Sequence, residues 1–391
     1  MKLACVVQRY GAGVAGGSER HCRELALRLA AAHDVTILTT CAADYVTWDN
    51  EFPAGESADG PLRVRRFPVS RSRRLKRFAE LSDEVFDGRA PDAQQEDWFR
   101  ENGPDCPALL EFLRAEGARF DLVLFWTFRY APSFFGVPIV RDRAVLLPTA
   151  EEDRAVDLSI LESFFQLPAA YLFLTPEEEA LVSTRAGRPL QPSAVIGMGL
   201  DAAPPAAMPS SVREPYLLYV GRVDRNKGCD TLLEYFTDYA ASHDGLSLVL
   251  AGPAKMQIPS HPRVRALGRV SDAERDALLQ SALALVVPSP FESLSIVLLE
   301  GWNRAVPAIV NARCAVLKGQ VRRANGGLYY RSSAEFEEAV ETLRASEPDR
   351  RALGAQGLAY VEREYRWPTV MERVQRLLDD ALAARRAGSG G

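Results

Sequence analysis

The chain has 391 residues, 47% of them hydrophobic and 25% charged, with a formal net charge of −5; this is the balance of a globular protein long enough for two domains. The acidic balance argues against general nucleic-acid binding, and no apolar run approaches the roughly 18–20 residues that a membrane span needs. Six cysteines stand far apart without a Cys-x-x-Cys pair, so neither a zinc site nor a disulfide framework is expected.

Met1-Lys-Leu-Ala-Cys-Val-Val7 lacks a signal peptide's long apolar segment and reads as a first buried strand, which implies a cytoplasmic protein. Further strands are predicted over 3–8, 35–40, 64–68, 122–126, 144–148, 171–174 and 194–196, with helices over 18–32, 107–116, 158–167 and 176–186. The stretch 197–209, rich in Gly, Pro and Ala, reads as a linker. Beyond it the pattern resumes, with strands over 216–221, 246–251, 264–267, 284–287 and 308–310 and helices over 229–241, 272–281, 294–302 and 334–344. A helical segment over 348–385 breaks at Trp367-Pro368, and the small-residue end 387–391 reads as a frayed tail. Strands alternating with helices predict an α/β fold of two Rossmann-like β/α/β domains, 1–200 and 201–366, facing a cleft that binds the ligand. The helix 367–387 is expected to pack back on the N-terminal domain.

Two loops carry candidate chemistry. In Gly221-Arg-Val-Asp-Arg-Asn-Lys-Gly228 the glycine turns the backbone at a strand end, and Arg222 and Lys227 can together hold a diphosphate whose charge grows as a bond to it breaks. Read alone, the loop is more simply a solvated turn with ordinary surface charges. In Pro288-Ser-Pro-Phe-Glu-Ser-Leu-Ser-Ile-Val-Leu-Leu-Glu300 a helix is expected to begin at Leu294, so that the N–H groups of Leu294, Ser295 and Ile296 are free to meet phosphate oxygens. Glu292 and Glu300 would then accept hydrogen bonds from neighbouring sugar or ribose hydroxyls; the plainer alternative is a loop acid and a buried acid with an Arg partner.

These motifs, in this order, resemble the retaining glycosyltransferases of family 4, which have the two-lobed GT-B fold. The resemblance implies that Arg222 and Lys227 hold the nucleotide diphosphate, Glu292 contacts the donor hexose and Glu300 the ribose. It also implies that the loop Gly16-Gly17-Ser18-Glu19-Arg20 brings backbone towards donor phosphates and acceptor, although Ser18 also reads as a helix N-cap. Gly252 and Gly268 fall where the family lines its nucleoside pocket, and turn formation would explain them too. No metal and no cofactor are implied, and the donor is expected to be a UDP- or GDP-sugar. The chain departs from the family at Ser295, which stands where a glycine is usual. It also departs at Phe125-Trp-Thr-Phe-Arg129 and at Glu151, where histidines are often found. Glu151, Glu152 or Asp153 is a candidate to orient the acceptor in their place; the four histidines, His21, His33, His243 and His261, read as structural or surface residues.

Eight cations crowd the stretch 63–77. Two readings stay open: contact with an anionic membrane surface or lipid-linked acceptor, on the inner face of the membrane, and a surface helix paired to Glu80, Asp83, Glu84 and Asp87. The function expected is metal-independent hexose transfer from a nucleotide diphosphate sugar to a glycan or lipid-linked acceptor, in cell-surface polysaccharide or glycoconjugate synthesis. A sugar-nucleotide epimerase or hydrolase on the same fold and a non-catalytic binding subunit are the alternatives.

Overall fold

Strands of a parallel sheet are covered on both faces, so they read as unbroken apolar runs rather than as alternating ones. The computed structural model, which describes residues 1–14 and 16–388, shows such strands in two separate sheets. The chain divides into a first unit, residues 1–198 with the segment from Val370 onward, and a second unit, Gly199–Thr369. The tail expected at the C-terminus lies, from residue 389, outside the described residues.

In the first unit the order is β1 (Lys2–Val6), α1 (Gly17–Leu29), β2 (Asp34–Thr40), β3 (Gly55–Asp59), β4 (Leu62–Phe67), α2 (Leu75–Phe86), α3 (Asp92–Asn102) and α4 (Pro107–Glu116). There follow β5 (Leu122–Trp126), α5 (Ala131–Gly136), β6 (Ala144–Leu147), α6 (Ile160–Phe164), β7 (Ala170–Phe173), α7 (Pro176–Arg185) and β8 (Ser193–Val195). The sheet order is β3-β4-β2-β1-β5-β6-β7-β8. Only β3 runs antiparallel to its neighbour, β4. The part of α14 (Trp367–Gly388) that belongs to this unit, from Val370 onward, buries Val370, Val374, Leu378 and Ala381. His33 meets Gln375 at 2.7 Å, and Arg385 donates to the Asp121 carbonyl.

The basic stretch takes its form from β4, where Leu62 and Val64 are buried on one face with Arg66 at its end, and Phe67 is buried on the other, beneath the Arg65 guanidinium 5.5 Å from its ring. Arg65 sits directly opposite Glu56 across the antiparallel pair and is bonded to it at 3.3 Å, the sheet's cross-strand charge pairing. Arg63 pairs with Asp34, Arg66 donates to Ser57 and the Tyr10 carbonyl, and Arg73 to Asn102. Arg71 and Arg74 both close on Glu101, at 3.0 and 2.6 Å. Lys76 and Arg77 face Glu80 and Glu84 along α2. Every cation of 63–77 thus has a partner within the unit, but only Lys76 and Arg77 meet acids of the helix expected to pair with the stretch; the others, on or after the strand β4, meet Asp34, Glu56, Ser57, Glu101 and backbone carbonyls instead.

The second unit runs β9 (Tyr216–Val220), α8 (Cys229–Ser242), β10 (Ser247–Ala251), β11 (Val264–Gly268), α9 (Asp272–Ser281), β12 (Ala284–Val287), α10 (Ile296–Trp302), β13 (Ala308–Asn311), α11 (Ala315–Ala324), β14 (Gly327–Tyr330), α12 (Ser333–Ala345) and α13 (Glu347–Glu364). Its six strands are ordered β11-β10-β9-β12-β13-β14 and are all parallel. Leu217, Leu248, Leu250, Ala284, Val286 and Ile309 form the sheet side of a core completed by Leu232, Phe236, Phe336, Val340 and Leu343. Each such buried Leu, Val, Ile or Phe side chain stabilises the fold by about 1.5–3 kcal/mol against exposure. Among the described residues no helix is long and apolar enough to cross a membrane.

One buried polar tie closes the end of the first sheet. The Trp126 indole N–H donates to His21 Nδ1 at 3.0 Å, and His21 Nε2 donates to the Gly197 carbonyl at 2.8 Å. The ring is therefore neutral with its proton on Nε2, and burial pushes its pKa down to about 4. The unfolded chain binds this proton more readily, so stability from His21 is full above its ordinary value of 6.5 and is lost as pH falls from there through about 4. Urea unfolding at pH 7 and pH 5 should show a His21→Leu variant less stable at pH 7 by about 1–3 kcal/mol, because the indole N–H loses its acceptor, and with a shallower decline towards acid than the parent.

Candidate functional site

Ligands of open parallel sheets bind at the carboxyl ends of the strands where the strand order reverses. In the second unit that point lies between β9 and β12, because β9 leads outward to β10 on one side while β12 leads to β13 on the other. The two loops singled out by sequence, 221–228 and 288–295, are the ones that leave these adjacent strands. Their mutual placement depends on close backbone contacts. At Gly228, in the left-handed conformation (φ 70°), an added Cβ would lie 2.3 Å from the Pro288 carbonyl oxygen. At Gly252, after β10, it would lie 1.8 Å from the Gly221 carbonyl oxygen.

Within the first loop Asp224 organises both cations. Its carboxylate accepts from the Asn226 N–H at 2.8 Å, capping the short turn Arg225–Lys227, and holds the Arg222 Nε at 3.0 Å. The Tyr219 hydroxyl, directed at the Arg222 carbonyl at 2.6 Å, secures the loop from the strand side. Lys227 emerges from the turn and places its Nζ 2.8 Å from Glu292 Oε1. Two residues 65 apart in sequence thus form an ion pair across the switch point, with the carboxylate largely buried and the lysine one-third exposed. Arg222 and Lys227 serve the same rim, each already held by a carboxylate.

The second loop departs from expectation at the helix start. The helix α10 begins at Ile296, with extended Ser295 as its N-cap, so Leu294 lies in the preceding loop with its side chain buried. The Ser295 N–H faces Gln320 Oε1 at 3.4 Å. The expected cradle of three free N–H groups at Leu294, Ser295 and Ile296 does not form in that shape, because the apolar Leu294 is drawn into the core before the helix begins. Glu300 lies on α10 with Arg275 of α9 3.5 Å from both its oxygens, the Arg partner of the plainer alternative. Arg275, Cys314 and Gln320 carried no sequence signal. Cys314 is the N-cap residue of α11 and is buried, which pushes its thiol up to about 11. Gly268 ends β11 in a left-handed conformation with open space around it, and its carbonyl accepts from the Gly252 N–H at 2.7 Å.

The first unit has its own switch point between β1 and β5. There Gly16 makes room for Glu19: an added Cβ would lie 1.9 Å from its carboxylate. That carboxylate takes hydrogen bonds from Gln8 at 2.9 Å and from Arg9 Nε and Nη2 at 2.9 and 2.5 Å, all buried. Gly16, not Ser18, is the N-cap of α1, because Gly17 already lies in the helix; Ser18 bonds to Glu19 and Gln8 instead. The loop of Gly16 and Gly17 is thus built around an internal ion pair. Where the sequence lacks histidines, Arg129 pairs with Asp153, the neighbouring Glu151 adds to the field, and together they outweigh burial to hold the guanidinium charged. Thr127 and Thr149, at the ends of β5 and β6, both have left-handed backbone (φ 59° and 47°), a costly conformation for a β-branched residue that concentrates at functional sites. Glu152 is exposed.

Among the described residues no three His, Cys, Asp or Glu side chains converge as a metal-ligand set. The second unit's site presents two cations suited to phosphate oxygens and two carboxylates suited to hydroxyl groups, the combination that a phosphorylated sugar would require. Comparison with known proteins gives this chemistry a context. Residues 206–359 match the family Glycosyl transferases group 1. The matched stretch lies inside the second unit and contains both loops. Among curated proteins, D-inositol 3-phosphate glycosyltransferase of Acidothermus cellulolyticus is 27% identical over 191 residues, 44% of this chain and 42% of that protein. Glycogen synthase of Mycobacterium tuberculosis is 29% identical over 167 residues, 37% of this chain and 40% of that protein. The chain therefore matches about two fifths of the length of these relatives. Among solved structures, sucrose-phosphate synthase from Thermosynechococcus elongatus superposes with a TM-score of 0.71 at 19% identity over 98% of this chain and 99% of that one. HepE from Anabaena, in complex with UDP and glucose, gives 0.69 at 14% identity over 97% and 100%. The fold is that of the GT-B glycosyltransferases, two α/β units with parallel sheets.

Replacing Gly252 and Gly268 separates close approach from conformation alone. Gly252→Ala should lower unfolding free energy by more than about 3 kcal/mol, because backbone must shift to admit a methyl group, and Gly268→Ala by about 1–2 kcal/mol, the left-handed cost of a side chain in open space. Denaturant unfolding of both variants measures the difference.

Proposed function

We propose that the protein is a retaining, metal-independent glycosyltransferase that moves a hexose from a UDP- or GDP-sugar to a glycan or lipid-linked acceptor. The observation that carries this reading is the Lys227–Glu292 pair at the β9/β12 switch point, with Arg222 beside it. The match of residues 206–359 to a glycosyltransferase family supports it independently. In this reading Arg222 and Lys227 take the diphosphate, and Lys227 exchanges part of its contact with Glu292 for phosphate as the donor enters. The freed Glu292 carboxylate accepts from hexose hydroxyls, and Glu300 from the ribose. The acceptor hydroxyl attacks the anomeric carbon on the face that the nucleotide leaves. The carbon–oxygen bond to the diphosphate breaks as the new one forms, and the departing phosphate oxygen receives the acceptor's proton. The protein's contribution is placement and stabilisation of the charge that builds on the leaving group. Gly252 and Gly268 belong to the nucleoside side of this site. Glu151, Glu152 or Asp153 remains the candidate to orient the acceptor.

A panel of UDP-, GDP-, ADP- and TDP-sugars, assayed for nucleotide release with glycan acceptors, with membrane-lipid extract and with neither, tests the proposal. Acceptor-dependent release is the expected result; release that ignores acceptor would make the protein a hydrolase, and no turnover or binding of any donor would end the reading. Arg222→Ala and Lys227→Ala should each lower kcat by roughly 10²–10³-fold with circular-dichroism melting curves close to the parent's, and near-normal rates would remove that residue from the site.

A further inference from the structure

Behind the loop that separates Glu292 from Glu300 lies a polar side chain that the reading above leaves unused. Gln320, in the middle of α11, is wholly buried (0% exposed) in a helix whose inner face is otherwise Val316, Leu317, Val321 and Ala324. Its carboxamide oxygen accepts from the backbone N–H of Ser295 at 3.4 Å, and this fixes the orientation of the group, because its nitrogen could not accept in that place. The other half of the amide is then determined. Gln320 Nε2 has no hydrogen-bond partner among the described residues. A buried donor left unpaired is costly, and such groups in folded proteins are completed by water, an ion or a ligand. Ser295, which Gln320 holds, is the small residue three positions after Glu292 and five before Glu300, itself 3% exposed.

We propose that Gln320 is a donor-sugar recognition residue: its oxygen fixes the Ser295 backbone, and its unpaired N–H donates to a hydroxyl oxygen of the bound hexose. The inference rests on the reading of this site as a nucleotide-sugar site and adds a residue that selects the sugar rather than the nucleotide. It sets a hydrogen-bond donor behind the loop that carries Glu292, an acceptor. Such a pocket discriminates by the position of a hydroxyl, since a sugar that lacks it leaves the buried N–H unpaired.

The test compares Gln320→Met, of equal length without polar atoms, with the parent protein by calorimetric titration of UDP against UDP-glucose and of GDP against GDP-mannose. The expected result is unchanged affinity for the free nucleotide and roughly tenfold weaker binding of the nucleotide sugar. In the parent, one monodeoxy version of that sugar should bind roughly tenfold more weakly than the full sugar, and in the variant that difference should vanish. Equal loss for nucleotide and nucleotide sugar would make Gln320 a loop anchor only, and no loss for either would assign its N–H to a buried water; both overturn the proposal. If Gln320→Met does not fold, Gln320→Asn, which draws the same amide back by one methylene, carries the same comparison. Failure of the parent to bind any nucleotide would instead remove the donor-site reading itself, and the inference with it.

Discussion

Everything at the candidate site of the second unit depends on how closely backbone can approach backbone at the carboxyl edge of its sheet. The Gly228 position against the Pro288 carbonyl, and Gly252 against the Gly221 carbonyl, leave no room for a side-chain carbon. Parallel strands put neighbouring chain ends about 4.8 Å apart, and the loops that leave them would diverge if their first residues carried bulk. Here they are drawn together instead, and the short turn at Arg225–Lys227 with left-handed Gly228 behind it delivers Lys227 onto Glu292. The ion pair is a result of the packing and not its cause. With the carboxylate largely buried, the pair's attraction is offset by the cost of desolvation, so its value lies in where it holds two opposite charges.

That placement has an electrostatic logic. Arg222 with Asp224, Lys227 with Glu292, and Arg275 with Glu300 are three cation–carboxylate couples around one sheet edge. Charges that are already paired need little reorganisation when a ligand of mixed character arrives, because phosphate can replace a carboxylate on a cation and a hydroxyl can replace a cation on a carboxylate. The first unit uses the same device at its own switch point, with Arg9 on Glu19 and Arg129 on Asp153. The pairs differ in burial: Arg9 and Glu19 are nearly sealed, with side-chain exposures of 7% and 5%, and such a pair is costly to break. Arg129 and Asp153, at 30% and 21%, stay open to exchange.

Most of the sheet strands were legible because burial on both faces writes them as apolar runs. The exceptions are instructive. Gly-Glu-Ser-Ala-Asp, the edge strand β3, carries no apolar residue able to reach a core and exists only because β4 offers it a ladder. The helices α2, α3 and α11 are interrupted in pattern by charges that pair locally or by glycine, and β14 begins on the second of two adjacent glycines, Gly326 and Gly327, which carry no strand signal. At the site, the roles of Arg222, Lys227, Glu292 and Glu300 could be framed from their loops, yet nothing in a linear reading says that Lys227 meets Glu292 or that Arg275 meets Glu300. Those contacts follow from strand order, which is a property of the whole sheet. Ser18 was misplaced as a cap because a glycine can serve in that position without a side chain, and the start of α10 was misplaced because Leu294 fits an apolar helix pattern while it is recruited by the core.

The first unit is assembled from the two ends of the chain. Residues 1–198 form its sheet, but the helix carrying Val370, Val374 and Leu378 follows the whole second unit, and His33 waits for Gln375. Loop-closure entropy grows only slowly with the length of the intervening segment, so the contact is thermodynamically inexpensive once both parts exist. The timing is another matter. A ribosome that adds about 5–20 residues per second presents the first sheet many seconds before its last helix emerges, while the second unit, continuous from Gly199 to Thr369, can close in the interval. The half of the molecule that begins first is therefore finished last, and during synthesis it passes through a period with an apolar face uncovered.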